Sequence, residues 1–179
     1  MAGERGSMNR PEDARPGTTR RVRLRDYDYR TPGYYFVTIC VHNRVHLFGC
    51  VREGAMQLND AGRMITETTA ALTPRHPQAV VDAFVVMPNH VHLLLGINLG
   101  GTGSLPELSL IDAVHWWKTR TTTGYIDGVR GQGWTPYEHR FWQEGYHDHI
   151  VRNDRELDMI RNYIDENPAR WGQDVFHDR

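Results

Sequence analysis

The sequence predicts an α+β fold in which helices cover one face of an antiparallel sheet. Three observations lead to this class. Segments dense in β-branched and aromatic residues indicate strands. Segments with apolar residues at helical spacing and cap signals indicate helices. The order of these segments is strand, helix, hairpin, helix and C-terminal helix, which is typical of a sheet packed against helices.

The length, composition and cysteine count of the chain restrict the class of protein further. The chain has 179 residues, of which 39% are hydrophobic and 24% charged, as expected for one soluble domain. Its apolar runs are too short to span a bilayer, and two cysteines are too few for a disulfide framework. We therefore expect no membrane association and a cytoplasmic location. Residues 1–20 are rich in Gly, Pro, Arg and Thr and are interpreted as a disordered, Arg-rich tail, which leaves residues 21–179 as the domain.

The first half of the domain alternates strand and helix signals. Residues Tyr34 to His42 predict a strand, and a helix follows from Ala61 to Leu72 with Asn59 or Asp60 as its cap. Val80 to Met87 predicts a second strand. A turn containing Pro88 leads into a third strand from His90 to Leu95, so these two strands form a hairpin.

The second half contains two predicted helices separated by loops. Apolar residues at helical spacing predict a helix from Ser109 to about Thr121. Four glycines and a proline between Gly124 and Glu138 predict a loop there. Asn153, followed three residues later by Glu156, resembles a capping box that opens the last helix, which ends near Pro168.

The segment His90-Val91-His92 is the strongest local signal for chemistry. Residues two apart in a strand project from the same face, so both imidazoles can reach one metal ion while Val91 points into the core. Imidazole is a common neutral metal ligand. The spacing alone also fits two histidines on the exposed face of a strand.

A second signal lies at the end of the last helix. Tyr163 and Asn167 are four residues apart and share one helix face beside the apolar stripe. A tyrosine at such a border also fits simple packing, and Asn167 before a proline also fits a helix terminator. Tyr146 is a rival nucleophile and His149 a rival ligand, because both lie in a separate Tyr-His-Asp-His segment.

Taken together, these motifs resemble the HUH single-tyrosine transposases, in particular the REP-associated tyrosine transposases. The resemblance covers about residues 25 to 172, and its blocks occur in the family's order. The blocks are Tyr34 to Ile39 with Asn43 and Arg44, Val86 to His92, a helix carrying Lys118, Phe141 to Gln143, Tyr146 to Arg152, and Tyr163 to Pro168 before Trp171. The family fold is ferredoxin-like, which agrees with the element order above.

The resemblance implies roles for individual residues. Tyr163 matches the nucleophile, His90 and His92 match the HUH pair, and Asn167 matches a third metal ligand. Contacts to DNA are implied for three basic residues, namely Lys118, Arg44 and Arg152.

The implied activity is cleavage and rejoining of single-stranded DNA through a 5′-phosphotyrosine link. Nitrogen and oxygen ligands suit Mg²⁺ or Mn²⁺. The expected partner is single-stranded DNA at hairpin or repeat ends, bound by a monomer or a homodimer. Two other hypotheses are a catalytically idle or domesticated hairpin-binding protein on the same fold, and a metal-dependent hydrolase without a covalent step.

Overall fold

The structure is a computed structural model that describes residues 27–100, 103, 105–173 and 176–177. The Arg-rich tail predicted for residues 1–20 lies outside the described residues. Six strands and four α-helices occur within the described part, in the order β1 Gly33–Cys40, β2 Gly49–Arg52, β3 Ala55–Leu58, α1 Asp60–Ala70, α2 Leu72–Arg75, β4 Ala79–Val86, β5 His90–Ile97, α3 Leu110–Gln132, β6 His147–Ile150 and α4 Asp154–Glu166.

The main sheet has four antiparallel strands in the order β4-β5-β1-β6. With the short β2–β3 hairpin set aside, the chain order is βαββαβ, and the last strand lies beside the first. This is the ferredoxin-like arrangement expected from the resemblance. The sequence did not reveal β6, because its four residues include two histidines and an aspartate.

Each face of the main sheet packs against its own set of helices. The core on one face combines alternate residues of β1 and β5, such as Val37 and Leu93, with α1 and α3 residues such as Ile65 and Trp117. The opposite face carries a smaller cluster centred on Leu94, Leu157 and Ile164, so α4 covers it. The C-terminal helix therefore lies across the sheet from the other helices.

Both predicted helix caps are present. The Asn59 side chain accepts a hydrogen bond from the backbone N–H of Gly62 at the start of α1. The Asn153 side chain accepts one from the backbone N–H of Glu156 at the start of α4. Each cap satisfies an N–H group that has no partner within its helix.

The loop predicted from Gly124 to Glu138 is wrong in its first half, because α3 continues to Gln132. Two of the glycines there, Gly124 and Gly128, allow close packing. A Cβ atom at Gly124 would lie 2.9 Å from the Met64 sulfur, and one at Gly128 would lie 2.2 Å from the Trp134 ring. Tertiary packing thus outweighs the low helix propensity of glycine.

Candidate functional site

The predicted histidine pair lies on the α4 face of the sheet. His90 and His92 are 0% and 1% exposed, whereas Val91 between them points into the core on the other face. The Nε2 atoms of the two imidazoles are 3.1 Å apart. The strand therefore aims two ring nitrogens at one point, as the sequence predicted.

Asn89 determines which nitrogen of His90 is protonated. The Asn89 Nδ2 group donates to the carbonyls of Arg44 at 3.0 Å and Phe176 at 2.9 Å. The amide oxygen must then be the atom 2.9 Å from His90 Nδ1, and an oxygen of this kind only accepts. His90 Nδ1 therefore donates, and in the neutral ring Nε2 carries the lone pair.

Thr38 of β1 holds the other imidazole. It pairs with His92 in the sheet register, and its hydroxyl is 2.8 Å from His92 Nδ1. A hydroxyl can donate or accept, so Thr38 permits either neutral tautomer of His92. When Thr38 accepts, the Nε2 lone pair of His92 also faces the point where the two rings converge.

Burial keeps both imidazoles neutral. Desolvation lowers the pKa of His92 to about 3. Desolvation, with smaller effects from His92 and Arg44, lowers the pKa of His90 well below its usual 6.5. Neutral imidazoles are the form that binds a metal.

Tyr163 projects from α4 to the same point. Its hydroxyl is 3.4 Å from His92 Nε2, and its ring lies 5.3 Å from the His92 ring and 5.9 Å from that of Phe36. Tyr163 is 36% exposed, so the residue lies at the border between the buried pair and solvent.

Asn167 caps the C-terminus of α4, four residues after Tyr163. It is 2% exposed, and its Oδ1 atom is buried without a hydrogen-bond partner among the described residues. A buried carbonyl oxygen without a partner is costly, which makes it available to a ligand. No group of three His, Cys, Asp or Glu side chains in the described part of the chain could hold a metal. An ion at His90 and His92 would therefore need a further ligand such as the Asn167 amide oxygen.

Aromatic rings cover the histidine pair. The Phe176 ring lies 4.7 Å from the His90 ring, and Trp171 lies 5.9 Å from it. Arg44 in turn stacks over Phe176 at 5.1 Å. Two histidines with this spacing also fit the exposed face of a strand, but these rings bury both imidazoles.

The two rival residues lie elsewhere. Tyr146 packs against the core on the opposite face of the sheet. His149 Nε2 is 2.7 Å from a carboxylate oxygen of Glu156, at the start of α4. The structure thus brings Tyr163, rather than Tyr146, to the histidine pair.

The three basic residues implied in DNA contacts differ in their surroundings. Lys118 Nζ donates to the backbone carbonyls of Gln143 and Gly145, both at 2.9 Å, so it holds the loop before β6. Arg44 lies beside the histidine pair, stacked on Phe176. Arg152 is exposed in the connection between β6 and α4.

Sequence reasoning missed the residues that orient the histidines. Thr38 reads as an ordinary strand residue, and only the register of β1 against β5 reveals that it faces His92. Asn89 lies in the predicted turn, although an asparagine directly before a His-x-His segment was an available signal. Phe176 lies far along the sequence with no motif around it.

Comparisons with known proteins give a consistent result. Residues 34–167 match the family described as "Transposase IS200 like". A Haemophilus influenzae protein of unknown function is 34% identical over 166 residues, which cover 88% of this chain and 92% of that protein.

Among solved structures, the fold is similar to that of a REP-associated tyrosine transposase bound to a REP hairpin. That similarity has a TM-score of 0.58 at 20% sequence identity, and it covers 84% of this chain and 74% of the other. No described helix is long and apolar enough to cross a membrane.

Proposed function

The chain belongs to the IS200-like transposase family, and we propose that it cleaves and rejoins single-stranded DNA through a 5′-phosphotyrosine link on Tyr163. One observation carries the proposal. The Tyr163 hydroxyl lies 3.4 Å from the Nε2 atom of a buried histidine whose partner histidine is aimed at the same point. A tyrosine that only packed at the border of the helix would not need a buried histidine beside its hydroxyl.

The donor set fits a divalent metal ion. His90 Nε2 carries a lone pair because Nδ1 donates to Asn89, and the orientation of His92 is supported by Thr38. A metal-bound histidine commonly makes a hydrogen bond through the ring nitrogen that does not bind the metal. The buried Oδ1 atom of Asn167, which has no partner among the described residues, supports a third ligand of oxygen type.

We infer that the ion is Mn²⁺ or Mg²⁺, with Mn²⁺ the better match to two imidazoles. When bound, it would polarise the scissile phosphate and stabilise the charge that develops in the transition state. His90, His92 and Asn167 are the residues that would hold it. Because the imidazoles of His90 and His92 are held in place and neutral, they are ready to bind the ion.

The nucleophile is the phenol oxygen of Tyr163. It forms a bond to phosphorus and loses its proton, while the bond from phosphorus to the 3′ oxygen breaks and that oxygen takes up a proton. The products are a 5′-phosphotyrosine and a free 3′-hydroxyl. Since the phosphodiester energy is kept in the link, a 3′-hydroxyl of another strand can displace the tyrosine and rejoin the DNA.

We propose single-stranded DNA with hairpin or repeat ends as substrate. The solved relative is bound to a REP hairpin, and the net charge of −1 here argues against a protein that coats duplex DNA by charge alone. We propose that Arg44 and Arg152 contact phosphate, since Arg44 lies beside the histidine pair and Arg152 is exposed before α4. Lys118 holds a loop and contributes indirectly.

The experiment is incubation with single-stranded oligonucleotides taken from the flanks of the gene, with Mn²⁺. A denaturing gel shows cleaved DNA and a covalent protein–DNA adduct if the proposal is correct. Binding without an adduct would instead support the domesticated hairpin-binding protein. Cleavage without an adduct would support the metal-dependent hydrolase.

A further inference from the structure

The helix that carries Tyr163 has a small apolar contact with the sheet. Leu157 and Ile164 of α4 are buried against Leu94 of β5, and the partly buried Ile160 of α4 packs around them with strand residues such as Phe36 and Val85. Each buried aliphatic side chain stabilises the contact by roughly 1.5–3 kcal/mol. Apolar packing is non-directional, so it favours docking of the helix more than it fixes the rotation of the helix about its own axis.

Arg161 connects α4 to the sheet by a bidentate pair with Asp82. The Arg161 Nε and Nη2 atoms donate to the two Asp82 carboxylate oxygens, each at 2.7 Å. Paired parallel bonds of this kind fix both distance and orientation. The Asp82 side chain is 14% exposed and the Arg161 side chain 39%, so water screens the pair on the Arg161 side while the carboxylate is mostly covered.

Asp82 occupies an irregular position in β4. The register against β5 shifts between Val81 and Ala83, which leaves Asp82 as the extra residue of a bulge. Bulges re-aim side chains and often lie beside functional sites. In a strand without the bulge, the side chains of Val81, Asp82 and Ala83 would point alternately to the two faces of the sheet.

Arg161 and Tyr163 lie on opposite sides of α4. Two residues along an α-helix correspond to a rotation of about 200°. The apolar contact lies between them, with Arg161 turned to β4 and Tyr163 turned to His92 of β5. A roll of the helix that releases Arg161 from Asp82 therefore displaces the Tyr163 hydroxyl from its position at the histidine pair.

We propose that the Asp82–Arg161 pair is a positioning clamp that sets the roll of α4 and so holds the Tyr163 hydroxyl at the histidine pair. The clamp rests on the proposed role of Tyr163 as nucleophile. A displacement of about 1 Å at a reacting atom can lower a rate about 100-fold. In this proposal the pair acts through Tyr163 and makes no contact with the reacting phosphorus.

The test compares Arg161→Ala and Asp82→Asn with a matched control, Asp158→Asn. Asp158 bonds the same guanidinium, at 3.0 Å, from within α4 and has no part in the link to the sheet. Single-turnover cleavage and equilibrium binding of a single-stranded hairpin oligonucleotide are measured with Mn²⁺. We expect cleavage to fall about 10- to 100-fold in the first two variants with DNA affinity unchanged, and the control to match the wild type.

A charge-reversed double variant, Asp82→Arg with Arg161→Asp, separates positioning from loss of either side chain. We expect it to recover much of the rate lost in the single variants. Arg161→Lys, which keeps the charge but loses the fork, should fall between the wild type and Arg161→Ala. If Arg161→Ala does not fold, these two variants carry the test.

A second readout does not depend on cleavage. In the protein without DNA, nuclear Overhauser contacts between the His92 and Tyr163 rings should be present in the wild type and in Asp158→Asn but absent in Arg161→Ala. If the wild type shows the contacts but forms no adduct, the proposed function fails while the clamp stays supported. Ring contacts that persist in Arg161→Ala would overturn the clamp. Cleavage by Arg161→Ala and Asp82→Asn at the rate of Asp158→Asn would also overturn it.

Discussion

At the scale of single residues, the site depends on how two imidazoles are held. Asn89 is fixed by two backbone carbonyls, and it therefore fixes the tautomer of His90. Thr38 reaches His92 across the sheet from the neighbouring strand. The sequence identifies the histidines by their spacing, but the orientation of His92 comes from a strand register that no local pattern encodes.

Thr38→Val tests the support of His92. Valine keeps the branched shape of threonine but cannot bond Nδ1, so the ring loses its anchor. We expect the affinity for Mn²⁺ to fall about 10- to 100-fold, measured by isothermal titration calorimetry. Thr38→Ser keeps the hydroxyl and is the control, which should remain near the wild type. Equal affinity in the valine variant would mean that Thr38 does not orient His92.

The buried His92 also makes stability depend on pH. In the unfolded chain His92 takes up a proton near pH 6.5, whereas the folded protein keeps it neutral down to about 3. Between these values the unfolded state holds more protons, so the free energy of unfolding falls as the pH falls, by up to about 1.4 kcal/mol per pH unit for such a residue.

Urea unfolding of the metal-free protein measures this effect. The carboxylates add their own acid dependence, so the comparison is with His92→Gln. As the pH falls from 6.5 to about 3, we expect the free energy of unfolding of the wild type to decrease relative to that of His92→Gln. Parallel pH profiles for the two proteins would show that His92 does not carry the effect.

At the scale of elements, the long helix α3 shows how packing overrides local signals. The glycines between Gly124 and Glu138 predicted a loop, yet the helix continues to Gln132 because Met64 and Trp134 fill the space that side chains at Gly124 and Gly128 would occupy. Local signals also failed for β6, because this strand has only four residues and a polar sequence. It forms a strand only through its pairing with β1. Elements with their own caps, such as α1 and α4, were predictable from sequence.

Two glycines of α3 give a matched pair of substitutions. Gly128→Ala places a Cβ atom 2.2 Å from the Trp134 ring, so we expect a loss of about 1–3 kcal/mol in the free energy of unfolding. At Gly131 no atom lies within 4 Å of the new Cβ, and we expect Gly131→Ala to gain about 0.5–1 kcal/mol. Chemical denaturation measures both. A neutral Gly128→Ala would mean that Trp134 moves aside without cost.

At the scale of the whole molecule, the ferredoxin-like sheet and the site come from distant parts of one chain. β5 supplies the histidines, β1 supplies Thr38, and α4 supplies Tyr163. The resemblance predicted the fold, the histidines and the tyrosine, but not Thr38, and it left open whether the tyrosine serves its own chain or a neighbour. Here Tyr163 lies 3.4 Å from His92 of the same chain.

Mixing two inactive variants tests assembly within one chain. His90→Ala keeps the tyrosine and Tyr163→Phe keeps the histidine pair, so a shared site between two copies would restore activity in the mixture. We expect no adduct from the mixture, because each chain lacks one part of its own site. Recovery of the adduct would mean that α4 reaches a partner's histidines in solution.

The central claim is that Tyr163 is the nucleophile, and Tyr163→Phe tests it most directly. The substitution deletes one oxygen and keeps the ring, so the packing against Phe36 and His92 persists. Tyr146→Phe is the control, because that hydroxyl lies in the other candidate segment and packs on the opposite face of the sheet. The measurement is a denaturing gel of the protein–DNA adduct with Mn²⁺. The account predicts no adduct for Tyr163→Phe, with DNA binding retained, and a normal adduct for Tyr146→Phe. An adduct that persists in Tyr163→Phe but disappears in Tyr146→Phe would contradict it.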